Sequence, residues 1–427
     1  MNIKRLKGFR DVLPGETELW RRVEEEAKRV FGLYGFCEIR LPLLEETSLF
    51  SRTIGETTDI VEKEMYTFTD TGGNTVTLRP EGTASVVRAY VENGFARSAP
   101  KARWFYSGPM FRRERPQKGR FRQFHQIGAE CFGWAEPGAD GEVLSMLWDF
   151  AAAIGISGRV SLELNSLGCP DDRSAYVAEL KKYLAKKAGC LCENCVKRAE
   201  KNPLRVIDCK SEGCREATLN APEISGWLCK ECSDHFSSVC GILDKEKIPY
   251  RVNGRMVRGL DYYNRTTFEL VTGELGAQNA VAAGGRYDGL VETLGGPAVP
   301  ALGFALGVER IVLMLGQDSR CADKPSVYCV HRGPEGAGAA FSFRRSLVNS
   351  GIAAGMDYEA RSFKAQMRSA DGSGARFVAI FGESETASGT VALKDLSTGT
   401  QETLAPEQAI QLIHNTLMVD FQERSKT

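Results

Sequence analysis

The densest chemistry in the chain is a run of cations. Between Arg112 and Arg122 stand six basic residues, Arg112, Arg113, Arg115, Lys118, Arg120 and Arg122, with Glu114 the single acid among them. Arginine presents a planar, permanently charged fork that meets phosphate oxygens two at a time, so such a run suits a polyphosphate. A solvated turn would have the same composition, and the flanking residues weigh against it. Residues 104–111 and 124–132 are apolar and strand-like, which predicts two antiparallel strands joined by a basic loop containing Pro116 and Gly119. Alternation along the second strand puts Gln126, Gly128 and Glu130 on one face, and His125, Ile127, Ala129 and Cys131 on the other. A small glycine between two polar side chains leaves room for a polar ligand beside the arginines. Neither a phosphate-binding loop ending in Gly-Lys-Ser/Thr nor a Gly-x-Gly-x-x-Gly after a strand occurs, so ATP would be held by arginine side chains.

A second constellation is made of cysteine. Eight of the 13 cysteines fall between Cys190 and Cys240. Cys192-x-x-Cys195 and Cys229-x-x-Cys232 have the spacing of zinc knuckles, and four thiolates from two such pairs make a tetrahedral structural site. The expected Zn²⁺ ligands are therefore Cys192, Cys195, Cys229 and Cys232, with Cys209 or Cys214 able to replace one. An odd cysteine total with no export signal reads poorly as a disulfide framework. The four histidines, at 125, 235, 331 and 414, lack the spacing of a two-histidine metal helix.

These residues must be positioned by a chain of 427 residues, enough for two or three domains. A hydrophobic share of 42% and a charged share of 26% describe an ordinary globular protein, and zero net charge argues against one that coats nucleic acid. No apolar run approaches the roughly 18 residues that span a bilayer, so a cytoplasmic enzyme without a membrane partner is expected. Leu19, Trp20, Val23, Ala27, Val30 and Phe31 recur at helical spacing and predict a helix over 16–31. Strand signals at 65–68, 75–78, 103–112, 123–132, 250–252, 266–271 and 303–307 mix irregularly with helical patterns at 82–93 and 141–154. That irregularity predicts an α+β core on an antiparallel sheet rather than βαβ alternation. Charged helices at 175–187 and 193–201, broken by cysteine pairs, suggest a small inserted domain over 171–240. The core then comprises 1–170 and 241–318. Breaker-rich residues 316–325 read as a linker to a compact α/β domain over 319–427.

Several of these segments resemble one family. Phe111-Arg112-Arg113-Glu114-Arg115 with Arg122-Gln123-Phe124-His125-Gln126 resembles motif 2 of class II aminoacyl-tRNA synthetases. Gly303-Phe304-Ala305-Leu306-Gly307-Val308-Glu309-Arg310 resembles motif 3, and the stretch around Tyr34-Gly35-Phe36 and Leu41-Pro42 resembles motif 1, which builds the dimer interface in that class. Arg258-Gly259-Leu260-Asp261-Tyr262-Tyr263, Gly284-Gly285-Arg286-Tyr287-Asp288-Gly289-Leu290 and Leu78-Arg79-Pro80-Glu81-Gly82-Thr83 narrow the resemblance to the histidyl-tRNA synthetase family, over nearly the whole chain.

The resemblance implies a homodimer that joins L-histidine to ATP and then esterifies the tRNA for histidine. It implies Arg112 and Arg258 at the α-phosphate and Arg310 at the γ-phosphate, with Glu114 and Arg120 also on ATP and Mg²⁺ across the outer phosphates. Arg258 would stand where other class members rely on a metal ion. For histidine it implies Glu130 and Tyr263 at the imidazole, Glu81, Thr83 and Gln126 at the α-ammonium, and Tyr262 and Tyr287 lining the pocket. Arg258 and Tyr263 would face opposite sides of a regular strand, so the chain must turn near Asp261 for both to reach one pocket. The C-terminal region resembles the anticodon-binding domain of several class II enzymes, with Arg361, Lys364, Arg368 and Arg376 spread through it. An alternative is a non-catalytic relative, the regulatory subunit of ATP phosphoribosyltransferase, which lacks that domain and loses ATP-site arginines. Two departures from the family pattern are Ala283, where many relatives have glycine, and Asp371-Gly372-Ser373-Gly374, whose glycines predict an early helix end.

Overall fold

The helix Thr17–Leu33 turns its apolar stripe inward, burying Leu19, Trp20, Val23, Ala27, Val30 and Phe31. Phe31 meets Phe105 and Phe304 edge-on, with ring centroids 5.9 and 5.7 Å apart, so the helix lies on the face of a sheet carrying both. It ends where Gly35 adopts φ 78°, allowing the Phe36 N–H to bond the Phe31 carbonyl at 3.0 Å and the Gly35 N–H that of Gly32 at 3.0 Å. That double bond pattern satisfies carbonyls a helix otherwise leaves open, and a side chain at the left-handed position would resist it.

The computed structural model describes residues 3–55, 58, 60–117, 119–276, 279–316, 324–359 and 361–424, the last five by backbone alone. The chain divides into two units, Met1–Cys321 and Ala322–Thr427. The frame of the first is an eight-stranded sheet in the spatial order Cys37–Glu38, Ala102–Phe111, Gln123–Phe132, Ala301–Gly307, Ala280–Arg286, Asn264–Val271, Ser161–Ser166, Tyr250–Val252. The six inner strands are all antiparallel, as the irregular strand and helix order predicts, and only the two outermost pairings are parallel. Ala280–Arg286 escapes sequence reasoning because alanine and glycine carry little strand propensity. Its glycines have a steric reason: a Cβ on Gly285 would stand 2.6 Å from the Thr266 carbonyl oxygen.

Gln123–Phe132 lies inside this sheet, pairing Gly128 with Tyr106 on one side and Glu130 with Gly303 on the other. Ile127, Ala129 and Cys131 enter the main core, so the expected two faces are present. The expected room at Gly128 is not. A Cβ there would collide with the Tyr106 phenol, and so would one at Gly82; the two glycines clear space for a tyrosine ring rather than a ligand.

Residues 171–240 are mainly helical. Leu180, Leu184, Cys195, Leu204 and Val206 share one hydrophobic cluster with Tyr263 and Tyr287, whereas Val239 on the helix Lys230–Lys245 joins the core beneath the sheet. The second unit is a five-stranded mixed sheet in the order Ala354–Met356, Val327–His331, Phe377–Phe381, Val391–Asp395, Gln401–Leu404. Its helix Phe363–Ser373 runs through Gly372 and stops only at Gly374, which takes the left-handed conformation at φ 70°. The end predicted from the two glycines thus falls at the second of them. Of the expected linker, residues 317–323 lie outside the described residues.

Candidate active site

A cavity of about 900 Å³ opens on the first unit's sheet. Arg112 reaches it from the end of the first hairpin strand, Arg310 from the helix Val308–Leu315, and Arg258 from the segment before Asn264–Val271. Three arginines distant in sequence thus line one cavity. Arg112 Nε donates to the Pro80 carbonyl at 2.8 Å, and its guanidinium lies over the Phe124 ring at 5.3 Å. Glu114 stands 3.8 Å from Arg112 and pairs with Arg120, and both line the cavity. Arg310 donates to the Ala280 carbonyl; burial, then the nearby Arg120, pushes its pKa below the usual arginine value. A concentrated positive field in a partly desolvated recess is what a polyphosphate would neutralise.

The other cations of the run go elsewhere. Arg113 and Arg115 are exposed and away from the cavity, and Arg122 donates to the Glu114 carbonyl at 3.2 Å while packing on Gly8. Lys118 lies outside the described residues.

The chain bends at 259–262, which brings Arg258 and Tyr263 together: the guanidinium lies 5.3 Å above the phenol ring. Arg258 also pairs with Glu269, a partner no sequence pattern singled out. Glu81, Thr83, Gln126, Tyr262 and Tyr263 line the same cavity. Glu81 accepts from the Thr83 and Ala84 N–H groups at 2.7 and 2.9 Å, capping the helix Thr83–Glu92. Gln126 Oε1, Tyr262 Oη and Arg258 Nε are buried without a hydrogen-bond partner. Buried polar atoms are almost always paired, so three orphans on residues lining one cavity mark where a polar ligand would bond.

Glu130 and Tyr287 sit behind that lining. Glu130 is fully buried, accepting from Thr83 Oγ1 at 2.7 Å and from Tyr287 Oη at 2.5 Å, so Tyr287 holds Glu130 instead of lining the cavity. Burial pushes the Glu130 carboxyl up to about 8, against the lowering effect of the two hydroxyls. Gly303 makes the space: a Cβ there would overlap Glu130 Oε2 and stand 2.5 Å from the Ala129 carbonyl oxygen. Gly303→Ala is therefore expected to cost about 1–3 kcal/mol by overpacking. An unchanged unfolding midpoint in urea would contradict this. Ala283 lines the cavity.

Two residues of the quoted motif segments act as supports to which sequence alone assigns no role. Glu309 accepts from the His125 backbone N–H at 2.9 and 3.0 Å, tying the helix of Arg310 to the hairpin. Arg286, with no exposed surface, donates from Nε to both oxygens of buried Asp140 at 3.0 Å and braces the strand that leads to Tyr287. Their signal was proximity in space, which spacing in sequence does not carry.

The cysteine ligands expected together are separated. Cys192 and Cys195 converge with Cys209 and Cys214, while Cys229 and Cys232 converge with Cys169 and Asp172; donor atoms within each group lie within 4.8 Å of one another. The reason is packing: each C-x-x-C opens a different helix, Glu193–Lys201 and Lys230–Lys245, and those two helix starts pack against different neighbours.

A family model described as histidyl-tRNA synthetase matches residues 8–311, and one described as an anticodon binding domain matches 327–416. The chain is 54% identical over 396 residues to a histidine–tRNA ligase of Geobacter metallireducens, spanning 93% of this chain and 95% of that one. It is 53% identical to the one from Geobacter sulfurreducens, spanning 94% and 98%. The crystal structure of apo S. aureus histidyl-tRNA synthetase superposes with a TM-score of 0.81 at 33% identity, covering 96% of this chain and all of that one. The fold is that of the class II synthetases, an antiparallel catalytic core with a C-terminal α/β anticodon-binding domain. The chain belongs to the histidyl-tRNA synthetase family.

Proposed function

We infer that the cavity joins histidine to ATP and that the chain is a histidine–tRNA ligase, an ATP-consuming aminoacyl-tRNA synthetase. The observation that carries this reading is the convergence of Arg112, Arg258 and Arg310 on one cavity with Gln126, Tyr262 and Tyr263. The histidine carboxylate attacks the α-phosphorus and expels pyrophosphate; a hydroxyl at the tRNA 3′ end then attacks the adenylate carbonyl and expels AMP. A carboxylate is already a nucleophile, so the first step needs neutralised charge and in-line placement rather than a general base.

In the roles we assign, Arg112 and Arg258 bind the α-phosphate and incoming carboxylate, and Arg310, with Arg120, the outer phosphates. Glu81, Thr83 and Gln126 take the α-ammonium, and Tyr263 the imidazole, with Glu130 reached from behind the lining once Thr83 gives up its hydrogen bond to the carboxyl. Mg²⁺ would be held mainly through the phosphates, since the nearby carboxylates Glu114 and Glu269 already pair with Arg120 and Arg258. The test is ATP–pyrophosphate exchange with each amino acid in turn. Exchange that depends on histidine alone is expected, and exchange without that dependence would refute the reading. The three cavity arginines and the second unit disfavour the non-catalytic regulatory-subunit alternative.

Residues 171–240 serve, in this proposal, as an inserted domain between core segments 1–170 and 241–318. Zn²⁺ bound by Cys192, Cys195, Cys209 and Cys214 would staple it. Lys210 and Arg215 stand at the cavity, which supports a role in holding the acceptor end of tRNA. Lys364 and Arg368 are exposed on the C-terminal unit and suit tRNA contact, whereas Arg361 and Arg376 pair with Glu359 and Asp395. Exposed Leu33, Leu43 and Leu44, beside the motif 1 segment, are consistent with a homodimer interface. No helix among the described residues is long and apolar enough to cross a membrane, and we assign the protein to the cytoplasm.

A further inference from the structure

We propose that Cys169, Asp172, Cys229 and Cys232 form a second structural zinc site, distinct from the four-cysteine cluster. The site is built from two helix starts that face each other. Cys169 caps the helix Pro170–Lys186 and Asp172 is its third residue; Cys229 caps Lys230–Lys245 and Cys232 is its third residue. Side chains at the cap and third positions converge over the same free N–H groups. Two such pairs placed end to end therefore gather four donor atoms, here within 4.8 Å of one another. Neighbouring sulfurs in a tetrahedral zinc–thiolate site lie about 3.8 Å apart, so a contraction of at most about 1 Å would close the set.

The surroundings suit a dication held by four anionic donors. Cys232 and Asp172 are 1% and 6% exposed, while Cys229 stands at the surface. The Cys229 N–H donates to Asp172 Oδ1 at 3.0 Å and the Cys169 N–H to Oδ2 at 3.3 Å. Each oxygen keeps a lone pair for a metal. With three thiolates and one carboxylate the complex would carry a net charge of about −2, which both helix N-termini favour. Capping by Asp172 alone would account for the hydrogen bonds, but not for three thiols gathered around that carboxylate.

Its position gives the metal a purpose. Cys169 precedes and Cys229 follows the segment that carries the four-cysteine cluster, so the site closes the neck of that segment. Next to the neck, the Leu167 N–H bonds the Arg265 carbonyl at 2.7 Å and the Arg265 N–H bonds that of Gly168 at 2.9 Å. These bonds hold Arg265 at φ 44°, a left-handed conformation a side chain resists, two residues after Tyr263 in the cavity. A metal in the neck would fix this corner and with it the frame of the histidine pocket.

The experiment is cysteine alkylation of the reduced, native full chain, with and without a zinc chelator, read by peptide mass spectrometry alongside metal analysis. About two zinc ions per chain are expected, with Cys229 protected despite its exposure and alkylated at least about tenfold faster once chelator is added. In a C192S/C209S variant about one zinc should remain, with Cys229 still protected by it. Equal alkylation of Cys229 with and without chelator would overturn the proposal. So would protection relieved by stronger reductant and not by chelator, since that would mark a disulfide. Failure of the four-cysteine reading would be distinguishable, because Cys192 and Cys209 would then label independently of chelator while Cys229 kept its protection.

Discussion

Arg258→Ala is expected to slow adenylate formation about a thousandfold, roughly 4 kcal/mol of barrier, while the Kd for histidine changes by less than about tenfold. The reaction brings a carboxylate against a phosphate, and an arginine there cancels charge as it concentrates in the transition state. The same guanidinium lies over the Tyr263 ring and pairs with Glu269, so its removal also disturbs the pocket. The alanine variant leaves the Glu269 carboxylate without this partner beside the incoming phosphates, a repulsion separate from the lost catalytic charge. The double variant Arg258→Ala/Glu269→Gln separates the two. It should bind ATP better than the single variant and remain as slow in pyrophosphate exchange. Recovery of exchange in the double variant would mean that Arg258 acts by balancing Glu269 and not on the substrate. Equal losses in histidine binding and in the chemical step would likewise contradict the assigned role.

Much of this was legible because local chemistry dictated it. The stripe from Leu19 to Phe31 and the alternation across Gln126 to Cys131 are consequences of helix and strand periods, and the core lies where those periods point. The cavity arginines were found through composition for Arg112 and Arg120, and through family likeness for Arg258 and Arg310. What stayed hidden was set by tertiary proximity. Glu269, Glu309 and Arg286 are ordinary charged residues in sequence, and only the folded sheet shows what they hold. The cysteines illustrate the limit most plainly. Spacing correctly named the pairs 192/195 and 229/232 as units, because each spans one helix start. It could not say that the units turn away from each other, since that depends on the packing of separate helices. Gly128 misled for a related reason: a glycine in a strand signals space without saying whether ligand or side chain fills it.

Glu130→Gln is expected to lower kcat/KM for histidine about a hundred- to a thousandfold, leaving the KM for ATP within about twofold. The carboxyl is held by Thr83 and Tyr287 with no exposed surface, and Thr83 lines the cavity, so an imidazole N–H reaches Glu130 by taking the place of the Thr83 hydroxyl. Glutamine keeps the volume and, like the protonated carboxyl, offers a donor, but it cannot release a proton to accept the ligand's N–H as a carboxylate would. The same substitution should alter the dependence of stability on pH. Burial raises the Glu130 carboxyl from its ordinary 4.5 to about 8, so across that interval the folded chain holds a proton that the unfolded chain has released. Its contribution is therefore fully present below about pH 4.5, declines as pH rises, and is lost above about 8. Glutamine cannot titrate, so the stability of Glu130→Gln relative to the parent should rise with pH through this window. Urea unfolding of both proteins between about pH 5 and 8.5 measures the difference directly, and cancels the contributions of carboxylates common to the two. Parallel stability curves would mean that Glu130 is ionised throughout, and histidine would then meet a carboxylate that is already charged before it binds.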